Sequence, residues 1–454
     1  MINQYSAALV LGAGRSGAAA ARLLNREGAS VTLVDAGEGS AQAAMALELR
    51  REGVETLLGV ETLPVGPFDV AVFSPGIPAD SDWARELEAR GIPAIPELDL
   101  GFTRCSIPVV AVTGTNGKST LVKLCAAILQ QAGLRAVPAG NYGAPLSEVV
   151  VSGAPLDWVV VEASSFQLEK SRWFHPRVGV MLNIYPNHLD RHSTVENYRN
   201  AKCRLFACMG QQDRAVVFEE HAREIRAALA HMAPESEAHM QWRTFGLSEA
   251  ADFRYDDHKI MRRRGGACPV DIGGSIFDNE VLGLSAAAAV AVAESCGCAD
   301  ACVERAASGF EPLAHRMQEV HRIGDVMFVD NSKATTLTAL HAALRMSRRP
   351  VRLIAGGLLK EYDLSFVKEL LRAKVKAVYL IGKAAGTMQQ AWQGDVPCRM
   401  CGTLDQAVAW SWAEAQPGEM VLLATGCASF DQFKGFAERG EKFTEQVRRL
   451  DEKK

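Results

Sequence analysis

No apolar run in the 454 residues approaches the roughly 18 needed to cross a bilayer as a helix, so no membrane span is expected. Excess charge is also missing. The 49 Lys and Arg against 53 Asp and Glu leave a net charge of -4, which offers no electrostatic footprint for nucleic acid. The opening MINQYSAALVLGAG carries no cationic stretch ahead of its apolar run, so no secretory signal is expected and the location implied is cytoplasmic. The 11 cysteines are odd in number and scattered, which argues against a disulfide framework and for reduced, buried small residues. Cys398-Arg399-Met400-Cys401 is a C-x-x-C, and Cys296, Cys298 and Cys302 lie close together. No second pair or histidine stands at ligand spacing, so neither group is expected to hold a metal.

What is present is globular: 48% hydrophobic and 22% charged residues. The chain is too long for one ordinary core, and two to four domains are expected. Its strongest local signal is Gly114-Thr115-Asn116-Gly117-Lys118-Ser119-Thr120, which follows the apolar Val109-Val110-Ala111-Val112 and leads into LVKLCAAILQQAG with helical period. Strand, glycine loop and helix N-terminus together cradle a phosphate chain with backbone N–H groups and the helix dipole. Lys118 adds a point charge, and the Ser119 hydroxyl suits a Mg2+ position. Val112 stands where the usual loop G-x-x-x-x-G-K-[ST] has its first glycine, so this loop is the shorter form.

Ahead of it, residues 7 to 35 read as strand, Gly12-x-Gly14-x-x-Gly17, alanine-rich helix, strand and a terminal Asp35. The next strand, FDVAVFSPGIP, ends in Ser74-Pro75-Gly76-Ile77, a second loop suited to phosphate or sugar. Only about 100 residues precede the lysine loop, which suits a small doubly wound domain for a nucleotide-like ligand rather than a full dinucleotide domain. Asp35 is expected to meet a ribose or base edge. A dehydrogenase reading rests on the three glycines alone.

After the lysine loop, LDWVVVEASSFQLE is a buried strand ending in Glu162, a carboxylate placed to hold Mg2+. RVGVMLNIYPNHLDRH is another, ending in Asn183 and the polar run that contains His188. Lys202, within VENYRNAKCRLFACM, reads by itself as an exposed helical lysine. Arg262-Arg263-Arg264-Gly265-Gly266 reads as a hairpin tip, since no aromatics interleave with it as nucleic-acid binding would need. Phe310-Glu311-Pro312-Leu313 reads as a linker. Beyond it, GDVMFVDNSKATTL, VRLIAGGLLK, AVYLIGKAA and EMVLLATGCASF are strands with polar carboxyl ends, alternating with helices, and imply a parallel sheet. The fold class is therefore α/β with three domains: 1–100, Rossmann-like; 101–312, P-loop ATPase-like with a mainly parallel sheet; and 313–454, again Rossmann-like.

GTNGKST, EASSFQLE, NHLDRH with a lysine about fourteen residues on, LAHR, DNSKAT and CASFDQFKGFAERGEKF together resemble the Mur ligase family, from Leu9 to Phe443. The resemblance implies an ATP-dependent amide ligase of peptidoglycan precursor synthesis, with a UDP-binding first domain and a third domain that brings the amino acid. The substrates implied are UDP-N-acetylmuramoyl-L-alanine, D-glutamate and ATP. Two Mg2+ ions are implied, held by Ser119 and Glu162 and by His188 and Lys202, with Lys202 carbamylated. Lys118, His188, Lys202 and Lys333 would be catalytic. ATP would meet residues Gly114 to Thr120, Asn279, Arg316 and Asp330 or Asn331. The UDP-sugar would meet Arg15, Ser16, Asp35, Ser74, Gly76 and Asn141. D-Glutamate would meet Thr335, Lys360, Ser429 and Phe436. A monomer is expected.

The chain departs from the family pattern at Leu282, where a second asparagine is expected, and at Leu359, where an aspartate is expected. Ala424-Thr425-Gly426 and the order Asp330-Asn331 also differ from it. The alternatives are a ligase of the same family that uses L-glutamate or another amino acid, and a non-catalytic nucleotide-binding relative.

Overall fold

The computed structural model describes residues 4–78, 80–263, 268–360 and 363–452. Its strands fall into three sheets. The first joins β1 (Ala7–Leu11), β2 (Ser30–Asp35), β3 (Glu55–Leu58), β4 (Val70–Phe73) and β5 (Ala94–Pro96) in the order β3-β2-β1-β4-β5. Every pairing in it is parallel, so all strand carboxyl ends share one edge. Near-continuous apolar strands are what a parallel sheet covered on both faces requires. One face packs on the helix Arg15–Arg26, where the alanines Ala18 to Ala21 are buried, and the other on Trp83 and Leu87.

The second sheet runs β14-β13-β12-β11-β10-β9-β6-β8-β7. It contains β6 (Val109–Thr113), β7 (Ala136–Gly140), β8 (Trp158–Glu162), β9 (Val178–Met181), β10 (Arg214–Phe218), β11 (Gln241–Gly246), β12 (Phe253–Asp256), β13 (Lys259–Arg262) and β14 (Val270–Asp271). It is parallel from β7 to β12 and antiparallel only across the last two pairings. Of the expected hairpin tip after β13, Arg264, Gly265 and Gly266 lie outside the described residues. The strand β6 lies centrally, flanked by β8 and β9, so the ends of all three strands converge beside the lysine loop.

Contacts divide the described chain into two compact units, and the first two sheets belong to one of them. The helix Glu97–Arg104 that leaves the first sheet packs on Leu146–Ser152 of the second so closely that a Cβ on Gly101 would sit 2.8 Å from Ser147 N. Arg104 pairs with Glu27, and Arg26 donates to the Val151 carbonyl. Val150 and Val151 close over the first sheet's core.

The other unit, Asn279–Leu282 with Phe310–Lys454, holds the third sheet. It consists of β15 (Gln318–Ile323), β16 (Val326–Asp330), β17 (Val351–Gly356), β18 (Val375–Ile381), β19 (Cys398–Gly402) and β20 (Met420–Leu423), in the order β15-β16-β20-β17-β18-β19. Only the β15 edge is antiparallel. Two apolar clusters cover its faces, one around Leu340, Leu371 and Trp392 and one around Val408, Phe443 and Val447. All 11 cysteines are free thiols. No helix among the described residues is long and apolar enough to cross a membrane.

Candidate active site

In the first unit the lysine loop is shaped by its glycines and pinned by β9. Gly114 sits at φ 144°, and a Cβ there would meet Leu182 Cβ at 2.9 Å, so no side chain fits. Gly117, at φ 85°, opens the helix Lys118–Gln131. Asn183 Oδ1 accepts from Thr115 N at 3.0 Å and Asn116 N at 2.8 Å, while its Nδ2 donates to Asn116 O at 3.2 Å. One side chain from just beyond β9 thus pins the loop backbone at Thr115 and Asn116. Lys118 Nζ folds onto the loop, donating to Gly114 O at 2.8 Å and Thr115 O at 2.9 Å. Ser119 is buried at the helix start.

Around this loop stand Glu162, Lys202 and His188. Glu162 is 2% exposed, and its Oε1 accepts from Asn141 Nδ2 at 2.8 Å. Its Oε2 is buried with no hydrogen-bond partner among the described residues. A buried carboxylate oxygen left bare is costly unless something binds it, so this is where the site asks for a cation.

Lys202 is not the exposed helical lysine of the local reading. It is 1% exposed, because the helix Val195–Cys203 turns that face inward together with Tyr198, Ala201 and Cys203. Its Nζ donates to Gly114 O at 2.8 Å and lies 4.6 Å from the Tyr198 ring centroid. Burial, and then the neighbouring Lys118 charge, hold its ammonium well below the usual lysine value, against the pull of Glu162. The Tyr198 hydroxyl lies 3.2 Å from Thr115 Oγ1, and desolvation pushes its pKa up to about 12.

His188 begins the turn Leu189–His192 in a left-handed conformation, φ 53°. Its ring meets Phe166 edge-on at 4.9 Å. Partial desolvation lowers its pKa, as do the charges of Lys202 and Lys118, while Asp190 opposes them. Phe166 is fixed by the local sequence: Ser164 and Gln167 form a capping box that starts the short helix Ser165–Leu168.

The first sheet supplies a second cradle. Gly17 passes so close to the β1 turn that a Cβ would lie 1.8 Å from Gly12 O. Asp35 spends both carboxylate oxygens on backbone, accepting from Ala13 N at 2.6 Å and Gly37 N at 2.7 Å. Ser74 Oγ reaches Gly12 O at 3.3 Å, and Gly76 is exposed. Arg15 donates to Gly143 O at 3.2 Å, beside the turn that carries Asn141. Of the residues expected on the sugar nucleotide, Asn141, Ser74 and Gly76 lie on loops beside strand carboxyl ends, and Arg15 and Ser16 open the helix Arg15–Arg26.

The second unit carries its own polar cluster at the ends of β16 and β20. Asp330 is fully buried, with Oδ2 2.7 Å from His315 Nδ1 and Oδ1 accepting from Ser332 N at 2.8 Å. Asn331 Oδ1 accepts from Met317 N at 3.2 Å. Lys333 Nζ lies over the Phe436 ring at 3.8 Å. Arg439, fully buried, donates to Ser332 Oγ, Ser332 O and Cys427 O, and burial lowers its pKa to about 10. Ser429 is buried, Thr335 partly exposed and Lys360 exposed. Asn279 Oδ1 accepts from Val281 N at 3.1 Å and Leu282 N at 3.0 Å, capping the start of the helix Glu280–Ser295.

The sequence set Asn183 beside His188 at a strand end suited to Mg2+, and in the structure the Asn183 side chain bonds the loop backbone. Arg191, His192 and His315 stood within polar motifs without a role of their own, and Tyr198 and Arg439 carried no signal of their own. Arg439 lies inside the block CASFDQFKGFAERGEKF, and the left-handed backbone at His315, φ 61°, had no sequence signal.

Residues 112–277 match the family described as Mur ligase middle domain, and residues 315–427 the Mur ligase, glutamate ligase domain. The chain is 36% identical to a UDP-N-acetylmuramoylalanine–D-glutamate ligase of Salinibacter ruber over 98% of both chains. It is 38% identical to a protein of the same name from Desulfovibrio desulfuricans, over 98% of this chain and 96% of that one. Among solved structures, a MurF ligase of Thermotoga maritima in complex with ADP superposes with TM-score 0.62 at 16% identity, covering 93% of this chain and 95% of that one. The likeness to that structure is one of fold. The chain belongs to the Mur ligase family, and both of these relatives, similar over nearly its full length, are UDP-N-acetylmuramoylalanine–D-glutamate ligases.

Proposed function

We propose that the chain joins D-glutamate to the L-alanyl carboxylate of UDP-N-acetylmuramoyl-L-alanine at the expense of ATP. The observation that carries this is the cluster at the lysine loop. Lys118, buried Glu162 with one bare oxygen, and buried Lys202 meet where a γ-phosphate would lie. A protein that only binds nucleotide has no need of them.

The donor set fits divalent cations. Ser119 and Glu162 would hold one Mg2+, and His188 with a carbamylated Lys202 would hold a second. Bound there, Mg2+ supplies positive charge against the phosphate oxygens. Burial favours the neutral amine of Lys202. The neutral amine can attack CO2: an N–C bond forms as one C=O electron pair moves to oxygen and the nitrogen gives a proton to solvent, which turns the neutral amine into an anionic carbamate whose oxygens only accept. The remaining N–H can still donate to Gly114 O.

The chain's own groups then have distinct tasks. The N–H groups of the lysine loop and Lys118 bind and orient the phosphates, which lets an anionic carboxylate approach an anionic phosphoryl group. The carboxylate oxygen bonds to the γ-phosphorus as the bond to the β,γ-bridging oxygen breaks, giving an acyl phosphate and releasing ADP. The D-glutamate nitrogen then bonds to that carbonyl carbon, loses a proton, and phosphate leaves. In the second unit Lys333 would add positive charge. Thr335, Lys360, Ser429 and Phe436 would receive the glutamate, with Lys360 facing its side-chain carboxylate. Asn279, Arg316 and Asn331 would meet adenine and ribose, whereas Asp330, with both oxygens engaged, would act by fixing His315.

The test is phosphate release from ATP and Mg2+ with UDP-N-acetylmuramoyl-L-alanine, comparing D-glutamate with L-glutamate. D-Glutamate is expected to be the faster by at least about tenfold, a difference of about 1.4 kcal/mol in transition-state binding. No release with either isomer would reject the ligase reading, and faster release with L-glutamate would reject only the stereochemistry.

A further inference from the structure

Arg191 lies outside the groups given a role above, yet it touches both halves of the first unit. NH1 donates to Pro75 O at 3.2 Å, and NH2 donates to Ile77 O at 3.2 Å and to Glu169 Oε2 at 2.9 Å. The two carbonyls flank Gly76, the exposed residue in the middle of the loop that ends β4. Glycine leaves such a loop with many conformations to lose, and a planar two-pronged donor removes that freedom from both sides at once.

The same guanidinium lies 4.3 Å over the face of Phe166, whose edge meets His188 and whose face stacks on His192 at 5.6 Å. His192 is buried and closes the turn through Ser165 Oγ at 3.0 Å. Arg191 lies in the turn Leu189–His192 and His188 just ahead of it, three residues apart, with Phe166 between their side chains. Arg191 Nε is buried without a hydrogen-bond partner among the described residues, at the wall of a cleft also lined by Ser74, Gln167 and Lys170.

We infer that Arg191 is a positioning residue: its forked guanidinium holds the Ser74–Ile77 loop and the His188 turn in one geometry, so that the sugar nucleotide held by the first is aligned with the chemistry beside the second. The inference rests on the ligase reading. It commits to shape rather than charge, because the carbonyls of Pro75 and Ile77, two residues apart, can be gripped by a fork and not by a single ammonium.

The experiment uses the full chain with Arg191→Lys and Arg191→Ala. Calorimetry reads binding of UDP-N-acetylmuramoyl-L-alanine without ATP, and steady-state assays read kcat and each KM. Both variants are expected to bind the sugar nucleotide about tenfold more weakly and to lose about tenfold in kcat, with the KM for ATP within about twofold of wild type. An Arg191→Lys protein that binds and turns over like wild type overturns the inference. So does a loss spread equally over all three substrates, since that is what a general structural defect gives. If Arg191→Ala does not fold, Arg191→Lys decides alone. Wild-type protein that fails to bind the sugar nucleotide would instead defeat the ligase reading.

Discussion

Lys202 shows how much one side chain's surroundings decide. Four methylenes and an amine lie within 1% of full burial against Gly114 O and the Tyr198 ring, and burial together with the Lys118 charge disfavours the charged form. The neutral amine is the species that can become a carbamate. Lys202→Ala is expected to lower kcat about a hundredfold, the scale on which removal of a metal-supporting group is felt. A short carboxylic acid diffusing into the vacated space should restore part of that loss. Near-normal turnover of the alanine variant, or no rescue by any short acid, would count against the carbamate. The two readings of Lys202 differ because VENYRNAKC is polar on most positions, and which face turns inward depends on what packs there.

At the scale of elements, the lysine loop owes its shape to its neighbour. Asn183, just beyond β9, makes three hydrogen bonds to Thr115 and Asn116. Asn183→Ala leaves those backbone groups without their side-chain partner, at about 1–3 kcal/mol for a buried one. The expected result is nucleotide binding weakened about tenfold by equilibrium titration, with unchanged affinity for the sugar nucleotide. Weakening of both alike would mean that Asn183 supports the whole unit rather than the loop. The strands themselves were plain in the sequence, since VVAV, WVVVE, VGVM, VMFV, VRLIAG and MVLL are apolar runs ending in polar residues. Less plain were β3, β5, β14 and β19, which are short or lie at sheet edges. The turn Leu189–His192 reads as loop because four residues carry no helical period.

For the whole molecule, the way the first two sheets merge into one unit has a consequence in pH. Glu97 is fully buried between them, its Oε1 accepting from Ser147 N at 2.8 Å and its Oε2 without a partner among the described residues. Desolvation raises its pKa above the ordinary carboxylate value, more than the Ser147 N–H lowers it. The folded state then holds a proton that the unfolded chain has released. Stability therefore falls as pH climbs from the unfolded carboxylate pKa to the raised folded one. Glu97→Gln cannot titrate and should lose less stability between pH 5 and pH 8 than wild type. Urea unfolding at the two pH values checks this, and parallel losses in both proteins would show that Glu97 does not set the slope.

By itself the sequence determined the α/β class, the lysine loop, the main apolar strands around the site, and the family, because each rests on residues adjacent in the chain. Only the tertiary structure decided that Lys202 is buried and that Asp330 has both oxygens engaged. It alone showed that Asn183 shapes a loop 68 residues away and that Arg191 reaches back 114 residues to Ile77. Burial and long-range pairing depend on what the rest of the chain places opposite a side chain, and no local pattern carries that information.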